Sequence, residues 1–398
     1  MQPRICLIWT MLLAMAAAYC VGQTATAPDQ QRQTALALEQ QGDNVEAEAA
    51  WRAYLKAHPS SPEAYAHLGL LEARQGHYKE AEPLYRKALA QDPGMPALRF
   101  NLGLALFKAG DLKEAIPEFT LLLKGQAPSS PDAQRLTILI GMAHYGLREY
   151  AQAVPYLKSA AAADAQNLPL RLTLAHSCLW SKQYQCVLDT YHEILMLNAE
   201  SAEADMLAGE ALDEMKNRYG AIEQFRAAVK ADPRMPDVHF GLGYLLWTQS
   251  QYPEAVSEFQ AELDLNPNHA QALTYLGDCN LVLNHPEIGR PLLEKAIQMD
   301  PGIELAHLDL GVIDADAGRQ DDALRELAAA EKLAPNDVNV HWRLGRFYQT
   351  TGRKDEAKIE FDKTRGLQKA DNDAVVDKMG GAQAKGRSAQ QPAAEPGK

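Results

Sequence analysis

Cysteine is scarce in this chain: five in 398 residues, two of them (Cys6 and Cys20) within the first 22. Cys178, Cys186 and Cys279 remain, too few for a disulfide framework. They form no CxxC, no CxxCH and no zinc-type pairing. Long apolar runs are missing too. The fullest, residues 5–18, is shorter than the ~20 residues a spanning helix needs. Positive charge is in deficit, 39 Lys+Arg against 52 Asp+Glu, a net charge of −13 that disfavours a general nucleic-acid binder. The chain has no HExxH, no GxSxG, no P-loop and no GxGxxG after a strand pattern. Apolar residues at 46% and charged residues at 23% are ordinary globular usage, so neither wholesale disorder nor a multispanning protein fits.

The N-terminus has Arg4 as its only early charge, then the apolar stretch 5–18 broken only by Thr10, then small residues. That order is the pattern of a secretory signal over residues 1–22, with cleavage after Gly22 leaving Gln23 first. The expected location is therefore periplasmic or secreted; the alternative is a membrane anchor formed by an uncleaved N-terminal segment. Lipidation at Cys20 is disfavoured because Tyr19 stands where a small residue is wanted.

Self-similarity organises the rest. The segment 61–93 recurs at a shift of 34 residues, and ten units cover residues 28–371. They run 28–61, 62–95, 96–133, 134–167, 168–201, 202–235, 236–269, 270–303, 304–337 and 338–371. Position 8 is glycine in eight units, among them Gly69, Gly103, Gly209 and Gly345; Ala35 and Ala175 fill the others. Position 20 is alanine in eight, with Val187 and Gly289 as exceptions. Position 24 is always bulky, from Trp51 and Tyr85 to Phe361, and is expected to fill space between neighbouring helix pairs. Proline at position 32 (Pro59, Pro93, Pro233, Pro267, Pro301, Pro335) ends a second helix. Glycine at position 15 (Gly42, Gly76, Gly110, Gly318, Gly352) marks the turn between helices. The insertion at 125–131 reads as a longer loop, and Asn284-His285-Pro286 with Gly289 predicts a late start for that unit's second helix. Residues 372–379 are expected to add a short cap, and the polar tail beyond Gly380, to residue 398, to be disordered.

These marks resemble the tetratricopeptide repeat family, over nearly the whole chain. The resemblance implies an all-α solenoid of antiparallel helix pairs stacked into a right-handed superhelix, with a concave groove that binds peptides. It implies a non-enzymatic interaction scaffold without cofactor or metal. The family's chaperone-tail clamp needs Lys and Asn at positions 5 and 9; here Ala66/Leu70 and Phe100/Leu104 stand there.

The groove positions implied by the resemblance are 2, 5, 9, 12 and 13 of each unit. They place Phe100, Phe107, Tyr145 and Trp180 in units three to five, then Glu210 and Asp213. Phe240, Tyr244 and Trp247 follow in unit seven, and Trp342 with Arg346 in unit ten. Acids outnumber bases ten to five across these positions. The expected partner is therefore another protein, offering a peptide or helix with apolar anchors and some basic residues. Recognition of a cell-wall or exported glycan by the aromatics is the alternative. His239, His307 and His341 share position 4 and read as aromatic packing residues rather than metal ligands. Cys178 and Cys186 flank one interhelical turn; two buried thiols are expected, with a bridge as the alternative.

Overall fold

The computed structural model describes residues 27–388, and among these every regular element is an α-helix. The N-terminal signal pattern and the last ten residues lie outside them. The chain divides into two compact units, one ending at Ala163 and one beginning at Asp164. The first holds four helix pairs: α1 (Ala27–Gln41) with α2 (Asn44–Ala57), α3 (Pro62–Arg74) with α4 (Tyr78–Gln91), α5 (Pro96–Ala109) with α6 (Leu112–Leu123), and α7 (Pro131–Gly146) with α8 (Tyr150–Ala163). The second begins with α9 (Leu168–Trp180) and α10 (Tyr184–Leu197), α11 (Ala202–Glu214) and α12 (Arg218–Ala231), α13 (Val238–Thr248) and α14 (Tyr252–Leu265). It continues with α15 (Ala270–Val282) and α16 (Pro286–Met299), α17 (Glu304–Asp316) and α18 (Gln320–Leu333), α19 (Val338–Thr350) and α20 (Lys354–Ser388).

Every second helix starts at position 17 of its unit, α16 included. The late start expected there does not occur, because Pro286 occupies the first helical turn, where a missing N–H costs nothing. The insertion near residue 128 is divided between a loop at 124–130 and a lengthened α7, which starts at Pro131 under a Ser130 cap. At the far end a separate cap and a disordered stretch from Gly380 were expected; instead α20 runs unbroken to Ser388.

The glycine at position 8 is required by the bulky residue at position 24 of the same unit. A Cβ on Gly69 would lie 2.7 Å from the Tyr85 ring, and one on Gly103 2.7 Å from Phe119. Gly209 and Phe225, Gly243 and Phe259, and Gly345 and Phe361 repeat the arrangement. The large side chain thus seats on its own partner helix, rather than only between neighbouring pairs. Trp51, Tyr85, Phe119 and Phe259 are all at most 1% exposed. Burying each contributes about 1.5–3 kcal/mol.

The histidines at position 4 are polar clasps, which corrects their reading as aromatic packing. His239 Nδ1 lies 2.6 Å from Glu258, while Nε2 donates to the Pro233 carbonyl at 3.1 Å. His307 links Glu326 and Pro301, and His341 links Glu360 and Pro335, by the same geometry. Each ring ties its own unit's second helix to the proline that ended the previous unit. Arg99 reaches Glu118 from the equivalent position.

The turn at position 15 is left-handed in all ten units. Glycine supplies it in five, and Arg148, Lys182, Lys216, Ser250 and Asn284 adopt φ between 58° and 65° in the others. A side chain in that region costs roughly 1–2 kcal/mol. Lys216→Gly should accordingly raise stability by up to about 1 kcal/mol, the gain trimmed by glycine's larger unfolded-state entropy. Gly76→Ala should lower it by about 1 kcal/mol through backbone strain alone, since no atom lies within 4 Å of the added Cβ. Urea-denaturation midpoints of the two variants check the opposite signs.

Candidate functional site

In the second unit two cavities join side chains of α9, α11 and α13. One, of about 290 Å³, lies between the α9–α10 turn and α11 and is lined by Trp180, Tyr184, Glu210 and Asp213. The other, of about 270 Å³, lies between α11 and α13 and is lined by Met206, Phe240 and Tyr244, again with Glu210 and Asp213. The two acids therefore belong to both cavities. Asp213 is ion-paired with Arg218. Burial raises the Glu210 carboxyl above the usual carboxylate range, and His176 partly opposes the shift.

The predicted aromatics divide into two kinds. Trp180 is 64% exposed. Phe240, Tyr244 and Trp247 are half-buried and packed on one another: Phe240 stacks on His269 at 4.6 Å, and Trp247 meets Tyr275 edge-on at 4.9 Å. Part of their surface thus holds the stack together. Trp342 and Arg346 stand apart at α19, stacked at 5.3 Å in a separate cavity with Asp316. In the first unit Phe100 carries the Arg135 guanidinium over its ring at 4.5 Å and lines a cavity of about 300 Å³. Phe107 packs on Phe119, and Tyr145 packs edge-on against Tyr150.

Several participants escape a reading by groove positions. Tyr275 sits at position 6 and His269 in the linker before α15, yet both complete the aromatic stack. Tyr184 enters from the start of α10 and donates to Glu214 at 3.3 Å. Cys178 and Cys186 are joined by a disulfide, which overturns the expectation of two free thiols. Their Cα atoms lie 5.8 Å apart, a separation a bridge spans readily. Cys279 is buried, and burial pushes its thiol up to about 12.

Among the described residues, two His–carboxylate groups are compact enough to hold a cation, Asp237/Glu262/His269 and Glu331/His341/Glu360. Their polar atoms are already engaged. His269 Nδ1 accepts from the Ala272 amide and Nε2 faces Asp237 at 3.2 Å. In the second group the Lys363 ammonium lies 2.9 Å from both glutamates and supplies the positive charge itself. Both serve the fold as hydrogen-bonded clasps.

A chain of polar contacts runs from the aromatic stack into the core. Trp247 Nε1 donates to Asp278 at 2.5 Å. Asp278 and Asp309 shift one another's carboxyls, and Asp309 Oδ2 is buried with no hydrogen-bond partner among the described residues. Asp309 is 5% exposed; burial and the Asp278 charge hold its carboxyl well above the usual range, against the pull of Arg343. The stability tied to its proton is complete below the unfolded-chain pKa and is lost as pH rises through the raised native value. Asp309→Asn keeps a donor toward Asp278 and carries no charge. It should raise Tm relative to the parent by about 2–4 °C near neutrality. Melts at several pH values should show the gain growing as pH climbs above the carboxylate range.

Comparisons with known proteins agree with this architecture. The family model described as tetratricopeptide repeat matches residues 32–96, 68–131, 100–167, 206–270, 241–302, 281–338 and 308–372. Anaphase-promoting complex subunit 3 of Schizosaccharomyces pombe is 25% identical over 137 residues, 34% of this chain and 21% of that protein. TPR repeat-containing protein YpiA of Bacillus subtilis is 21% identical over 228 residues, 56% of this chain and 53% of that one. The chain thus spans about half or less of the length of these curated relatives. Among solved structures, YrrB, titled a TPR protein with an unusual peptide-binding site, is 21% identical. It covers 48% of this chain and 97% of its own, with a TM-score of 0.38. A family model matching most of the repeat array, together with twenty helices in antiparallel pairs, establishes that this chain belongs to the tetratricopeptide repeat family.

Proposed function

We propose that the chain is a non-enzymatic scaffold of the cell envelope that captures a segment of another protein on the face of α9, α11 and α13. The repeat family supports protein binding in general. The observation that carries the specific reading is the pair of adjoining cavities, aromatic on their outer walls and sharing Glu210 and Asp213 between them. Apolar anchors of a partner fill such walls, and a basic residue meets the acids. Glycan recognition is the competing reading, and salt separates the two: contacts to a basic peptide weaken as ionic strength rises, whereas sugar stacking on Trp180 does not.

Export is part of the same proposal. It is supported by the apolar stretch followed by small residues, and by the Cys178–Cys186 bridge, since bridges persist in oxidising compartments. Mass spectrometry of the natural protein recovered from the envelope should find Gln23 as the first residue. Recovery of the uncleaved chain from the cytoplasm would overturn this part.

The capture experiment uses the immobilised chain 23–398 and envelope extract. Its control is Trp180→Ala/Glu210→Gln, chosen because these side chains contribute less to the packed stack than Tyr244 and Trp247. A protein retained by the parent, released by salt and lost by the folded variant supports the reading. Equal retention by both forms removes this face from consideration.

A further inference from the structure

We infer that the cavity between the α9–α10 turn and α11 is a socket for a single arginine side chain of the partner, pre-shaped by the Cys178–Cys186 bridge. This rests on the reading of that face as a partner-binding surface and names the group it selects. One wall is the disulfide loop itself: Leu179, Trp180, Lys182 and Tyr184 all lie between the two bridged cysteines. The other wall is the α11 triad of Glu210, Asp213 and Glu214.

The three acids differ in what already engages them. Arg218 pairs with Asp213, and the Tyr184 hydroxyl donates to Glu214. No described residue donates a hydrogen bond to the Glu210 carboxylate, which is half-buried and belongs to a residue lining both cavities. A planar guanidinium satisfies this geometry in two ways at once. Its face covers the exposed Trp180 ring, and its N–H fork reaches the carboxylate. Lys182, whose backbone is left-handed at φ 59°, lines the same cavity and adds a like charge. That charge disfavours a compact ammonium more than a delocalised guanidinium that stacks on the Trp180 ring.

The bridge matters because the wall is a turn. Residues 181–183 connect α9 to α10 with a side-chain-bearing residue in the left-handed region, so the segment is costly to hold. Crosslinking its two ends keeps Trp180 and Tyr184 in place before a ligand arrives, which lowers the ordering cost of binding. A dithiol reductant removes the constraint: it gives two electrons and two protons to the bridge, which becomes two thiols, and is itself oxidised to a cyclic disulfide.

The test titrates N-acetyl-arginine amide into the full-length oxidised chain and follows tryptophan fluorescence. N-acetyl-citrulline amide, the neutral isostere, and N-acetyl-lysine amide run in parallel. We expect a saturable change for arginine with half-saturation on the order of 1 mM, and about tenfold weaker binding of citrulline. Trp180→Phe should abolish the signal, and Glu210→Gln should erase the preference for arginine over citrulline, with circular dichroism confirming that both variants fold. Dithiothreitol should weaken binding several-fold.

Equal binding of arginine and citrulline overturns the socket, as does a signal that survives Trp180→Phe. So does the absence of saturation up to about 50 mM. Tighter binding of lysine overturns the choice of guanidinium, and insensitivity to the reductant overturns the role of the bridge. Loss of the socket with partner capture retained leaves the face as a binding surface; loss of both removes the face itself.

Discussion

The close approach of two helices at a glycine underlies everything else in this chain. In eight of ten units a glycine on the first helix receives a large side chain from the second, in seven of them at a distance that leaves no room for a Cβ and at Gly141 at 3.0 Å. That interlock fixes the spacing of each pair, and packing at near-crystalline density leaves little freedom to relax. With the pair rigid, the outward positions of the first helix are placed by default. The face proposed for binding then arises without any residue being ordered for that purpose alone. In the two units that carry alanine there, Ala35 and Ala175, the bulky residues Trp51 and Tyr191 donate hydrogen bonds from their polar tips to Glu39 and Asp205.

The second unit uses its polar groups in two ways. His239, His307 and His341 join adjacent repeats by bonding a carboxylate on one side and a proline carbonyl on the other. Asp278 and Asp309 instead bury charge-bearing groups beside one another, at a cost that burial imposes on the ionised form. On α9 and α11, Trp180 is exposed, and Glu210 stands on the same helix as Asp213 and Glu214, which are already paired.

The fold was legible in the sequence because its marks are steric. Gly69, Ala81, Tyr85 and Pro93 each do one geometric job, and that job recurs every 34 residues. The left-handed turns at Arg148, Lys182, Lys216 and Ser250 were not legible, since none of these residue types announces a positive φ; Asn284 is of a type that takes it readily. Nor was the continuation of α20 to Ser388, where the composition reads as a tail. For the site, groove positions located Trp180, Glu210, Asp213, Phe240 and Tyr244, which the structure brings to two cavities. They missed Tyr184, His269 and Tyr275, because contacts between repeats depend on lateral offsets that a repeat number does not encode. The pairing of Cys178 with Cys186 depended on distance, and spacing alone left it open.

The five turns that carry a side chain in the left-handed region are consecutive along the chain, at residues 148, 182, 216, 250 and 284, while the glycine turns flank them on both sides. Local opening free energy in a repeat protein is set unit by unit, so the chain carries a built-in gradient of it. The middle hairpins are the softest to unzip from their turns, and the one among them that borders the proposed arginine socket is the one closed by a covalent bond. Adaptability is thereby left next to the proposed binding face and withheld from the turn that walls it.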